Sequence, residues 1–119
     1  MREIYCSRWD ETVTQAHDRY VWSEPVPNGK VLHVKNCYAY APDRAANDRT
    51  QLGIQNGATK VLVRSRKWNV AGDGVSALND FFVGEYDKIY AYFPDADSTD
   101  VISLHVTGVL MDRDEFRDV

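Results

Sequence analysis

Two stretches decide the fold class: Phe81-Phe82-Val83-Gly84-Glu85-Tyr86-Asp87-Lys88-Ile89-Tyr90-Ala91-Tyr92-Phe93, and Asp100-Val101-Ile102-Ser103-Leu104-His105-Val106-Thr107-Gly108-Val109-Leu110. Both alternate with period two. In the second, Ile102, Leu104, Val106 and Leu110 share one side, and Ser103, His105 and Thr107 share the other. That is the pattern of a half-buried strand. The linker Pro94-Asp95-Ala96-Asp97-Ser98-Thr99 is rich in turn formers, so the two strands are expected to pair as an antiparallel hairpin.

The same alternation extends upstream. Glu24-Pro25-Val26-Pro27-Asn28-Gly29 is a firm break, and a strand is expected from Lys30 to Tyr40. By parity, Leu32, Val34, Tyr38 and Tyr40 face one way, and His33, Lys35 and Cys37 the other. Asn56-Gly57 marks a tight hairpin between Thr50–Gln55 and Ala58–Trp68. In the returning strand Val61 and Val63 are expected inward, and Lys60, Arg64 and Arg66 outward. Thr12 to Trp22 is ambiguous, but its Thr, Val, Tyr and Trp favour a strand on which Tyr20 and Trp22 share a side. Seven or eight strands without a convincing amphipathic helix make an all-β, antiparallel β-sandwich. Eight strands favour a jelly roll and seven an immunoglobulin-like topology.

The 119 residues suit one domain, with an N-terminal arm over about 1–11 and a charged C-terminal tail over about 111–119. In the arm, Ile4, Tyr5 and Trp9 are candidate anchors. A net charge of -4 argues against nucleic acid as the main partner. The one basic stretch, Lys60, Arg64, Arg66 and Lys67 beside Trp68, reads as the solvated face of a strand protected from edge pairing. The N-terminus lacks a signal-peptide core, and no apolar run reaches the length of a membrane span, so a soluble protein made in the cytoplasm is expected.

Signals for chemistry are sparse. His17, His33 and His105 are far apart in sequence, and no metal-binding or nucleophile motif accompanies them. Ser103 and His105 share a strand face without a turn to present the serine. Asp95, Asp97 and Asp100 are a weak calcium candidate that fails the EF-hand spacing. Cys6 and Cys37 are either two thiols or one optional bridge. No cofactor is implied, and no enzyme is expected. The most informative stripe is Tyr86, Tyr90 and Tyr92, opposed on the same strand by Ile89, Ala91 and Phe93. A strand apolar on both faces buries one in the core and offers the other to a cover, and tyrosine suits a protein interface or a glycan.

Val26-Pro27-Asn28-Gly29-Lys30-Val31-Leu32-His33-Val34 and the closing pair, Val83–Tyr92 with Val101–Leu110, resemble the first sheet strand and last hairpin of small tailed-phage accessory domains. The resemblance covers about half of the chain. It implies a β-sandwich that decorates or cements a virion head, forms a homo-oligomer, and contacts capsid or other virion protein without catalysis. The interface expected on this reading is Tyr86, Tyr90 and Tyr92, with Trp9 as the arm's anchor. The alternative is a carbohydrate-binding module that uses the same tyrosines, or Trp22 and Trp68, as stacking platforms.

Overall fold

The structure is a computed structural model, and it describes residues 2–13, 17–41, 49–67, 74–96 and 100–117. The strands are β1 (Glu3–Thr12), β2 (His17–Trp22), β3 (Lys30–Tyr40), β4 (Arg49–Asn56), β5 (Thr59–Lys67), β6 (Gly74–Ser76), β7 (Phe81–Val83), β8 (Lys88–Ala96) and β9 (Val101–Asp112). A short helix, α1 (Arg113–Arg117), follows. One sheet has the order β1-β9-β3-β6, with β7 also on β3; the other has the order β2-β8-β4-β5. β6 and β7 lie along the same edge of β3, against Tyr38–Tyr40 and Leu32–Val34 respectively, and so act as one interrupted strand. The pairing is then nested: first with last, second with next to last, and so inward to the β4–β5 hairpin. That is a long two-stranded ribbon wound into two packed sheets, the jelly roll.

Local chemistry explains the turns. Asn56 opposes Thr59 across a two-residue loop, and Gly57 takes the positive φ of 56° that a tight hairpin asks of its first central residue. The Pro25–Gly29 segment carries the chain from one sheet to the other. Its Val26 is buried, and its backbone bonds Asp87 O and Tyr86 N at 2.9 and 2.7 Å. The core between the sheets holds Leu32, Val34, Leu52, Ile89, Phe93, Ile102, Leu104 and Val106.

Several expectations need correction. The expected hairpin of the closing strands does not form, because β8 and β9 lie in different sheets. Each is a central strand, β8 between β2 and β4 and β9 between β1 and β3, so both gain two partners instead of one. Residues 3–12 are not an arm: β1 pairs with β9 at every position from Glu3 to Thr12. The charged tail begins instead with the extension of β9 to Asp112 and then α1. Parity fails in β3, where the register against β9 shifts between Val34 and Asn36. The bulge turns Cys37 and Ala39 into the core and Tyr38 and Tyr40 outward. A second shift, between Leu52 and Gly53, reverses the later half of β5: Arg64 and Arg66, opposite Leu52 and Thr50, donate to the backbone oxygens of Ser76 and Gly74 at 3.0 and 2.7 Å, while Val61, opposite Ile54, keeps its expected side but is exposed at the sheet edge. These two arginines tie β5 to β6 across the edge of the sandwich.

Candidate functional site

The outer face of the β2-β8-β4-β5 sheet carries the most concentrated functional chemistry. Tyr20 and Trp22 on β2 stand opposite Tyr92 and Tyr90 on β8. Period two puts all four on one face, since Val21, Ile89, Ala91 and Phe93 point into the core. Tyr20 is the hub. Its ring centroid lies 4.5 Å from that of Tyr92 and 5.3 Å from that of Trp22, both stacked, and 5.9 Å from Tyr90 at an edge-on 63°.

The group is ordered by its surroundings. Tyr90 is only 2% exposed, and its ring lies over Gly53, its neighbour on β4. Burial, with Tyr20 alongside, holds the Tyr90 hydroxyl above its ordinary pKa, so it stays protonated. Trp22 donates its indole N–H to Gln55 Oε1 at 2.7 Å. Lys60 Nζ sits 5.1 Å from the Tyr20 ring centroid, and Lys88 Nζ sits 5.1 Å from that of Trp22. Trp22 remains 40% exposed, and Leu62, opposite Gly53, is exposed beside the group. The result is an aromatic platform with two ammonium groups on it.

Of the expected interface residues, Tyr90 and Tyr92 are here. Tyr86 is not on the strand: it occupies the turn before β8, with a φ of 68° and 63% exposure. Trp9 is on β1 in the other sheet, opposite Leu104 and packed on the core, so it anchors its own domain. Tyr20 was not among the expected residues; its shared parity with Trp22 was the available signal. Trp68 and Asp97 lie outside the described residues, as does the side chain of Asp95. Asp100 is buried, and its carbonyl accepts from Val13 N at 2.8 Å. Among the described residues no cluster of His, Cys, Asp and Glu could hold a metal ion.

The remaining candidates have structural surroundings. Ser103 is buried, and its hydroxyl donates to Tyr40 O at 3.0 Å. His105 lies edge-on to Tyr38, and His33 stacks on Phe82 at 4.3 Å with Asp80 at 3.3 Å from its Nε2. Cys6 is exposed and Cys37 buried, both as free thiols. A depression of about 390 Å³ at the end of the sandwich is lined by Gly29, Asp112, Arg113, Asp114 and Glu115, but its Asp112 is already paired with Lys30 at 2.6 Å. Among the described residues no helix is long and apolar enough to cross a membrane.

No protein-family model matches the chain, and no curated protein matches it. Among solved structures it is similar to the Yersinia pseudotuberculosis-derived mitogen, at 13% identity and a TM-score of 0.49, over 87% of this chain and 85% of that one. It is also similar to a protein of the disulfide-linked pili of Bacillus endospore appendages, at 12% identity and a TM-score of 0.46, over 94% and 87%. A third is the virus-like particle of the Macrobrachium rosenbergii extra small virus, at 11% identity and a TM-score of 0.39, over 92% and 79%. These are likenesses of strand layout; virus-particle and pilus proteins are among them.

Proposed function

We propose that this chain is a non-enzymatic structural subunit of a tailed-phage virion, a head decoration or cement protein. It attaches through the outer face of the β2-β8-β4-β5 sheet. The observation that supports this reading best is the Tyr20–Trp22–Tyr90–Tyr92 platform with Lys60 and Lys88 on it. A partner surface that covers Trp22 and the half-exposed Tyr20 and Tyr92 desolvates large rings at little entropic cost, with buried Tyr90 as their support, and acidic groups on the partner would meet the two ammoniums. The Val26–Val34 resemblance to phage accessory domains suggests the virion assignment; the closing hairpin of that resemblance does not form here.

The same platform suits a glycan less well. A sugar stacks on an open ring face, whereas Tyr20 and Trp22 each carry a lysine ammonium and stack on one another. Gold-labelled antibody raised against the purified chain, applied to particles from cells that produce it, should mark virion heads. Label confined to cell debris would overturn the virion reading. Saturable quenching of Trp22 emission by a soluble glycan would overturn the choice of a protein partner.

A further inference from the structure

The edges of the two sheets are not equally protected against a further strand. β6 and β7 have three residues each, and β2 is short with a register shift between His17 and Arg19. β5 carries a bulge together with Lys60, Arg64, Arg66 and Lys67, and it has no acidic residue. Bulges, short strands and like charges are the usual defences of an edge. β1 differs. It runs ten residues without a register shift against β9, and Ile4 on it is 93% exposed.

We propose that β1 pairs antiparallel with β1 of a second copy of this chain, across a two-fold axis centred on Cys6. A two-fold axis that makes neighbouring strands antiparallel is normal to the sheet and keeps its faces matched. Each residue then opposes one of its own parity, and the choice reduces to which residue lies on the axis. Centring on Tyr5 sets Arg2 against Arg8. Centring on Ser7 sets Glu3 against Glu11. Centring on Arg8 sets it against itself. Centring on Ile4 or Trp9 opposes no like charges, but the first pairs only residues 3–5 of β1 and the second leaves exposed Ile4 beyond the paired residues. Centring on Cys6 sets Arg2 against Asp10 at both ends, Glu3 against Trp9, Ile4 against Arg8 and Tyr5 against Ser7, with no like charges opposed.

The ion pairs already present extend that match. Arg8 Nε bonds Asp10 at 2.9 Å, and Arg2 Nε bonds Glu115 at 3.2 Å. Joined across the axis, Arg8, Asp10, Arg2 of the second copy and its Glu115 alternate in sign. Exposed Ile4 gains the aliphatic stem of the opposing Arg8 as cover. This pairing uses the sheet opposite the aromatic platform and stands whether or not the virion reading does.

Cys6 is a built-in reporter of the register. Opposed residues in an antiparallel pair have Cα atoms about 4.5–5.5 Å apart, within the range that a disulfide spans. Cys37 is fully buried and silent. Mild oxidation of the full chain with copper phenanthroline should give a covalent dimer that Cys6→Ser abolishes. Leu78→Cys in the Cys6→Ser background, at a site 74% exposed and off β1, should cross-link several-fold less. In the same background, a mixture of Ile4→Cys and Arg8→Cys chains should cross-link better than either variant alone. Without oxidant the chain should sediment as a dimer. Asp10→Arg should weaken that dimer about tenfold, since two attractive contacts become repulsive, and Arg2→Asp added to it should restore association. A monomer in sedimentation, cross-linking at Cys6 no better than at residue 78, or no rescue by the charge swap would overturn the proposal.

Discussion

The ring of Tyr90 occupies the space over Gly53 on the adjacent strand: a Cβ at residue 53 would stand 2.4 Å from Tyr90 Cζ. The aromatic platform therefore depends on the absence of a side chain on β4. Gly53→Ala should displace Tyr90, disturb its edge-on contact with Tyr20, and cost about 1–3 kcal/mol. Urea denaturation reads the stability, and near-ultraviolet circular dichroism reads the loss of ring order. Because the two residues touch, Gly53→Ala combined with Tyr90→Ala should cost less than the sum of the single changes.

Gly108 presents a harder constraint. A Cβ there would stand 2.1 Å from the backbone oxygen of His33, and backbone cannot rotate away as a side chain can. Gly108 faces Val34, where the β3 bulge begins, in the middle of the β1-β9-β3 sheet. Gly108→Ala should cost about 3 kcal/mol or more. Gly57→Ala meets open space and only a φ of +56°, and should cost about 1 kcal/mol. Equal urea midpoints for the two variants would contradict this ranking.

The acid limb of stability should report the Lys30–Asp112 pair. Chiefly through the Lys30 ammonium bonded to it, the Asp112 carboxyl is pulled from 3.8 down to about 2. A carboxylate whose folded pKa lies below its unfolded one stabilises the fold above the unfolded value, and that contribution is lost as pH falls through the folded value. Wild-type protein should therefore lose stability between about pH 4 and pH 2 relative to Asp112→Asn. The gap between the two should close by about pH 2. A gap that persists unchanged at pH 2 would show that the pair does not set it.

The two thiols should separate cleanly. Burial pushes the Cys37 thiol up to about 12, whereas Cys6 is exposed on the edge strand. An aromatic disulfide reagent at neutral pH should titrate one thiol quickly and the second only when the fold opens. Two fast thiols in the native protein would contradict the inward turn of Cys37 that the β3 bulge creates.

The fold class was legible because alternation in β8 and β9 is local, and each strand's inward residues announce themselves. What failed was everything that depends on a partner. The stretch Pro94–Thr99 looks like a hairpin turn, yet its first three residues extend β8, and the strand that follows belongs to the other sheet. The bulges after Val34 and opposite Leu52 shift the register by one residue, so parity misplaced Cys37, Tyr38, Arg64 and Arg66. The site was half legible for the same reason. Tyr90 and Tyr92 share a strand, and Tyr20 and Trp22 share another, but only the β2–β8 pairing makes them one platform. Tyr86 misled because it continues the parity of β8 from inside a turn.

The most direct test of the central claim is cosedimentation of the purified chain with virion heads stripped of it, beside a Tyr20→Ala, Trp22→Ala double variant. Both substitutions are on the half-exposed outer face, so the fold should survive and circular dichroism should confirm it. The wild-type chain should bind saturably and the variant about a hundredfold more weakly, as loss of two aromatic anchors implies. Wild-type binding left unchanged by the double substitution, or no binding to heads at all, would contradict it.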